Sequence, residues 1–186
     1  MKKKILFLLL LALPICMFGQ VDNKAKQMTK FEEFSSATGK IVKFQDYSLP
    51  NISGGFMNSL VTGIRTIMGG SSNAYFFRIE DPQTSRSASH IAMIEYSDLV
   101  EINRALDKLC ASVDADVAAN PDYLENKFRT VDGFEVGYYI SKGKASWFMK
   151  LERYTSSTVF VKNQETLVEA FKNAQAKIEE LKSQNK

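Results

Sequence analysis

A single histidine, His90, stands in the 186 residues, together with only two cysteines, Cys16 and Cys110. One histidine leaves few schemes for a metal centre or for a histidine-activated nucleophile. Cys16 falls in an N-terminal leader, so the rest of the chain holds one thiol and can form no internal disulfide. Long apolar runs are as scarce. The one that occurs, Ile5 to Leu13, is too short to span a bilayer comfortably, and nothing comparable follows it. No glycine-rich loop follows a strand in a phosphate-binding arrangement. The twelve-position calcium loop is missing around Asp114 and Asp116. No catalytic set, metal or cofactor is therefore expected.

Charge of one sign is missing too, once the leader is set aside. Residues 1–19 read MKKKILFLLLLALPICMFG: a basic start, the apolar run, Pro14, then the small Gly19 before Gln20. This is the layout of a secretory signal peptide. Met17 sits where a small residue is preferred. Leu13-Pro14-Ile15-Cys16 offers a rival, a lipidation site at Cys16, against which bulky Ile15 argues. The leader carries three of the 24 basic residues and none of the 21 acidic ones, so the remaining chain is balanced. Its net charge gives no reason to expect nucleic acid as a partner. An exported protein is expected, periplasmic or extracellular, with no transmembrane segment after the leader.

What is present is a phrase used twice. Residues 74–80 read AYFFRIE and residues 146–152 read SWFMKLE. Around the second copy the turn signals are clean, at Asp132-Gly133 and Lys142-Gly143. They separate alternating runs at Asn126–Val131, Phe134–Ser141, Ala145–Arg153 and Thr158–Lys162. A helix is expected at 164–183, with Leu167, Phe171, Ala174, Ile178 and Leu181 on one face and Asn163 as its cap. The first half gives the same order. FSSATGKIVKF (34–44) lines up with FRTVDGFEVGY (128–138), SHIAM (89–93) with STVFV (157–161), and DLVEINRALDKL (98–109) with TLVEAFKNAQAK (166–177).

The expected fold is α+β, a tandem duplication of a ββββα unit with antiparallel sheets, each unit closed by its C-terminal helix. The signal peptide covers 1–19 and a polar segment 20–30. The first unit spans 31–113 with an insert at 48–72, a linker spans 114–124, and the second unit spans 125–186. Both units are expected to share one compact domain, with an extended sheet and both closing helices on one face as the first choice. The stretch YLENKFRTVDGFEVGYY, continued by a strand and a Leu-rich helix, resembles secreted bacterial proteins of no assigned function, mainly over 90–183. That resemblance implies no activity.

The duplication supplies an internal control. His90 aligns with Thr158 and Cys110 with Ile178, so both read as structural rather than catalytic. Two features escape the control. The first is the insert GGFMNSLVTGIRTIMGG (54–70). On a helix, Phe56, Met57, Leu60, Val61, Ile64, Ile67 and Met68 share one face. Seven such residues would contribute on the order of 10 kcal/mol on burial. A short amphipathic helix is therefore expected, covering the home core or docking on a partner. The second is the outer face of the second unit. A two-residue Lys142-Gly143 turn sets Tyr138 opposite Trp147, Val136 opposite Met149, Glu135 opposite Lys150 and Gly137 opposite Phe148. Parity then places Phe128, Tyr139, Phe148 and Phe160 together on the outside.

Candidate contacts are thus Phe56, Leu60, Ile64 and Ile67 on the insert and Phe128, Tyr139, Phe148 and Phe160 on the sheet. The expected function is a secreted or periplasmic, non-catalytic binding protein whose partner is an envelope protein or a small apolar or carbohydrate ligand. The alternative is an envelope hydrolase or lipid-handling protein using His90 with an unidentified carboxylate.

Overall fold

The computed structural model describes residues 27–36, 39, 41–54, 59–69, 72–82, 89–153 and 157–184. The expected leader and Phe56 lie outside them. In chain order the elements are α1 (Lys30–Ser35), β1 (Lys43–Ser53), β2 (Ser59–Gly69), β3 (Ser72–Asp81), β4 (His90–Glu95), α2 (Tyr96–Ala118), β5 (Tyr123–Arg129), β6 (Glu135–Ser141), β7 (Lys144–Lys150), β8 (Val159–Phe160) and α3 (Gln164–Gln184). They build two four-stranded antiparallel sheets, β1-β2-β3-β4 and β5-β6-β7-β8, each followed by a helix. One antiparallel bridge, Gly54 to Val161, stitches the end of β1 to the residue after β8. The arrangement is α+β and roughly consistent with a tandem duplication.

The repeated phrase is the third strand of each sheet. In β3, Tyr75 faces Thr66 and Phe77 faces Ile64 of β2; in β7, Trp147 faces Tyr138 and Met149 faces Val136 of β6. Register therefore makes Phe76 of β3 the counterpart of Phe148 of β7. The turn between β6 and β7 is tight because Lys142 and Gly143 both take positive φ, 53° and 68°, the conformation that matches strand twist in a two-residue hairpin.

The described middle of the insert is a strand, not a helix. Residues 59–69 form β2, with Leu60, Thr62, Ile64 and Thr66 buried on one face and Val61, Gly63 and Arg65 on the other. Leu60, Ile64 and Met68 satisfy both a helical and an alternating pattern, so the apolar positions alone do not decide. The β-branched run Val61, Thr62, Ile64, Thr66 and Ile67 favours a strand. Gly63 in mid-segment costs a helix about 1 kcal/mol. Most of all, β1 and β3 flank the segment and take up its backbone hydrogen bonds.

The first strand expected near Phe34 is absent for a related reason. Phe34 belongs to α1, which Thr29 and Glu32 start with a reciprocal capping box: the Glu32 amide donates to Thr29 Oγ1 at 3.1 Å and the Thr29 amide donates to Glu32 Oε2 at 2.7 Å. Matching residues 34–44 to 128–138 therefore paired a helix and a first strand with a first and a second strand. The linker is also shorter than expected, since α2 runs to Ala118 and β5 starts at Tyr123.

The two closing helices do not keep to their own sheets. α3 lies on β1, β2 and β3, whereas α2 reaches β5, β6 and β7 while still touching β3 and β4. Phe171 of α3 stands edge-on to Phe77 at 5.2 Å and lies 5.8 Å from Phe134 just ahead of β6. One continuous buried cluster accordingly draws on both sheets and both helices. The five residues that set the apolar stripe of α3, from Leu167 to Leu181, are all buried.

A second, smaller cluster lies on the opposite face of the first sheet. Ile67, Ala74 and Phe76 are buried there, with Phe31 of α1, Val42 and Met93 packed around them. Phe31 meets Phe76 edge-on at 5.4 Å and Phe34 lies 6.0 Å from it. α1 is fastened at its start, where the Lys30 amide donates to Asp132 at 3.0 Å and Lys30 Nζ donates to Asp98 at 2.7 Å.

Candidate ligand-binding face of the second sheet

The outer face of the second sheet follows from register. β6 and β7 pair as Glu135–Lys150, Gly137–Phe148 and Tyr139–Ser146 on that side. β5 adds Tyr123, Glu125, Lys127 and Arg129, paired with Ser141, Tyr139, Gly137 and Glu135. Phe160 of β8 pairs with Phe148. Gly137 has no room for a side chain, since a Cβ there would stand 2.2 Å from the Asn126 carbonyl oxygen. Gly137 lies opposite Phe148, which is only 3% exposed although no described helix covers this face. Its neighbours close over it instead. Tyr139 lies 6.5 Å from Phe148 and 6.1 Å from Phe160, and Tyr123 stacks on Tyr139 at 6.1 Å. The two end rings remain open to solvent, Tyr123 at 61% and Phe160 at 45%.

Charges divide this face into two parts. At one end Glu135 is buried among three cations: Lys127 at 3.0 Å, Arg129 at 3.5 Å and Lys150 at 3.8 Å. Lys127 also pairs with Glu125 at 2.6 Å. Hydrogen bonds from Lys127 and then from Tyr123 hold the Glu125 carboxyl below its ordinary range, outweighing burial. At the other end is a hollow of about 240 Å³, lined chiefly by Tyr139, Ser146, Trp147, Phe160 and Lys162. It exists because β8 has only two residues and pairs with Phe148 and Met149 alone. The chain then leaves through Val161, whose amide donates to the Trp147 carbonyl at 3.0 Å. Lys144 to Ser146 are thus left without a described strand on that side. Lys162 lines the hollow and Lys144 directly precedes the lining residue Ala145 in β7; neither lysine has an ion-pair or hydrogen-bond partner among the described residues.

Of the residues expected to make contacts, Tyr139, Phe148 and Phe160 come together as expected. Phe128 does not join them. It pairs with Val136 and packs, half-buried, against the main core. Leu60 and Ile64 are fully buried in that core, and Ile67 lies under α1 in the smaller cluster. None of these three offers a free face. Sequence reasoning missed Tyr123 because the strand was started at Asn126 and given the parity that put Phe128 outside, which turns Tyr123 inward; in the register observed, with Arg129 opposite Glu135, the two exchange faces. Lys144, Ser146, Trp147 and Lys162 gave no sequence signal, since the early end of β8 makes them a group.

His90 Nδ1 lies 3.0 Å from Glu152 Oε2, while the other oxygen of that carboxylate accepts the Ile91 amide at 2.9 Å. Burial raises the Glu152 pKa, but the Ile91 amide and His90 outweigh it and leave the group below its ordinary range. Glu152, two residues past the end of β7, thereby clips that segment to the start of β4. A groove of about 430 Å³ between α2 and α3 is lined in part by Arg104, Asp107, Lys172 and Glu179. Its charges are already matched, with Lys172 3.4 Å from Asp107 and Arg104 2.5 Å from Glu101. Asp116, doubtful as a calcium ligand, instead accepts the Tyr138 hydroxyl at 2.5 Å. Cys110 is half-buried against the core, and burial raises its pKa. Among the described residues no cluster of three or more His, Cys, Asp or Glu could hold a metal, and no helix is long and apolar enough to cross a membrane. Comparison with family models, curated proteins and solved structures finds no match for the chain.

Proposed function

We propose that the protein is an exported, non-catalytic binding module, periplasmic or extracellular, that takes a carbohydrate ligand on the outer face of its second sheet. One observation carries this reading: an aromatic-walled hollow of about 240 Å³ lined also by Lys162, which has no partner among the described residues. Exposed rings alone would not suffice, because Phe44 on the first sheet is 46% exposed as well. There, however, the nearby cation Arg65 is bound by Asp46 through two hydrogen bonds of 2.8 and 2.6 Å. Sugar rings present apolar C–H faces that stack on aromatic rings and hydroxyls that need polar partners. The hollow offers both, with Tyr139 and Phe160 beside Ser146 and Lys162. Export rests on the layout of residues 1–19. We also read the chain as a tandem duplication that preserved strand order and register while the two outer faces diverged.

Trp147 is the only tryptophan and lines the hollow, so its fluorescence reports occupancy. A panel of soluble oligosaccharides should include members that change it saturably. Tyr123→Ala with Phe160→Ala should abolish that response at unchanged fold. A panel without any response, or a response indifferent to both rings, would remove the reading. The second reading is a hydrolase built on His90 and Glu152, favoured by their 3.0 Å contact. It requires ester or glycoside turnover that His90→Gln eliminates.

A further inference from the structure

We infer that the ligand of this face is an acidic glycan, a chain of sugar rings bearing carboxylate or sulfate groups. The inference rests on the carbohydrate reading above and adds the charge. The chain after its leader is balanced, yet the outer face of β5–β8 and the residue two beyond Phe160 carry Lys127, Arg129, Lys144, Lys150 and Lys162 against only Glu125 and Glu135. The excess is not spread evenly. Lys127, Arg129 and Lys150 are drawn onto Glu135. The cations of this face without a partner among the described residues are therefore Lys162, which lines the hollow, and Lys144, which directly precedes its lining residue Ala145; no acidic residue is among the described lining. A carboxylate or sulfate on a sugar stacked against Phe160 or Tyr139 would find a cation at the rim of the hollow. A neutral sugar would leave both lysines to water. Both lysines are exposed, so their pull is screened by salt and falls off over about 10 Å at 0.1 M.

Lys144→Gln with Lys162→Gln is the direct test, read by Trp147 fluorescence and calorimetry on the chain from Gln20 onward. The probes are hexameric oligogalacturonate, a heparin-derived hexasaccharide, neutral maltohexaose and a short oligothymidylate. The expected result is binding of at least one acidic hexasaccharide that weakens with added salt and falls about tenfold in the double variant. Thermal stability should stay unchanged, and maltohexaose should bind more weakly. Equal affinity for acidic and neutral hexamers, indifferent to the two lysines, would overturn the acidic assignment and leave the carbohydrate reading standing. Silence toward every glycan would overturn both. Tighter binding of oligothymidylate than of either acidic glycan would replace the sugar with a nucleic acid strand.

Discussion

Phe76 and Phe148 hold the same place in the two sheets, on the face turned away from the shared core, and both are almost fully buried. They are buried by different means. Over Phe76 the chain lays a helix, α1, which brings Phe31 and Phe34 onto the ring. Over Phe148 it uses the neighbours in the sheet: Tyr139 from β6 and Phe160 from β8, with Tyr123 stacked behind. The first solution uses an extra element and leaves modest residues such as Ile67 beneath it. The second needs large rings on the strands themselves, and those rings keep one side in water. Near-identical strands can thus end with one face closed by the chain and the other open.

The largest break in this comparison would come from separating the halves. Because α3 covers the first sheet and α2 reaches the second, residues 27–118 expressed alone should show no cooperative unfolding transition by circular dichroism. A sharp transition would mean that each unit is self-sufficient. Next in size are the matched substitutions Phe76→Ala and Phe148→Ala. Each should cost about 3–5 kcal/mol in urea unfolding, and similar losses would confirm that helix and rings bury their target equally well. A smaller effect, about 1–2 kcal/mol, is expected from Phe31→Ala, whose ring is half-buried. Phe160→Ala should cost less than that while removing ligand response. If Phe160→Ala is instead the more destabilising of the two, the second face is core rather than a binding surface.

The smallest effect concerns the clip between the halves. Since the Glu152 pKa is lowered in the fold, its contacts stabilise above the ordinary carboxylate range, and that contribution is lost as pH falls through the depressed value. The side chain is 40% exposed, so the loss should stay below about 1 kcal/mol. Glu152→Gln should flatten the acid limb of the stability profile slightly. An unchanged acid limb would mean that the clip contributes nothing to stability.

Much of the second half was legible from residues alone. The Lys142-Gly143 turn, the pairing of Glu135 with Lys150 and of Gly137 with Phe148, and the stripe of α3 all follow from local pattern. So does the aromatic trio Tyr139, Phe148 and Phe160. Errors gathered in the first half, where patterns were ambiguous. Leu60 and Ile64 are spaced for a helix or a strand alike. The Thr29-x-x-Glu32 capping signature was present in the sequence, but an alignment that assumed a strand near Phe34 passed over it. Phe128 was placed outside because Asp132-Gly133 was read as a two-residue turn, which would pair Phe128 with Gly137; the chain turns over residues 131–133 between Thr130 and Phe134, so Phe128 pairs with Val136 and faces the core.

Local chemistry in the sequence determined the apolar stripe of α3, the turn at Lys142-Gly143, and that AYFFRIE and SWFMKLE are alternating strands. Those choices depend on neighbours within a few residues, through φ preferences and alternation. Only the tertiary structure decided that residues 59–69 pair between β1 and β3, that the closing helices reach across to each other's sheets, and that β8 stops early enough to open a hollow at Trp147. These depend on which distant strand supplies the missing hydrogen bonds and which distant surface buries a given face, and no local pattern encodes the identity of that partner.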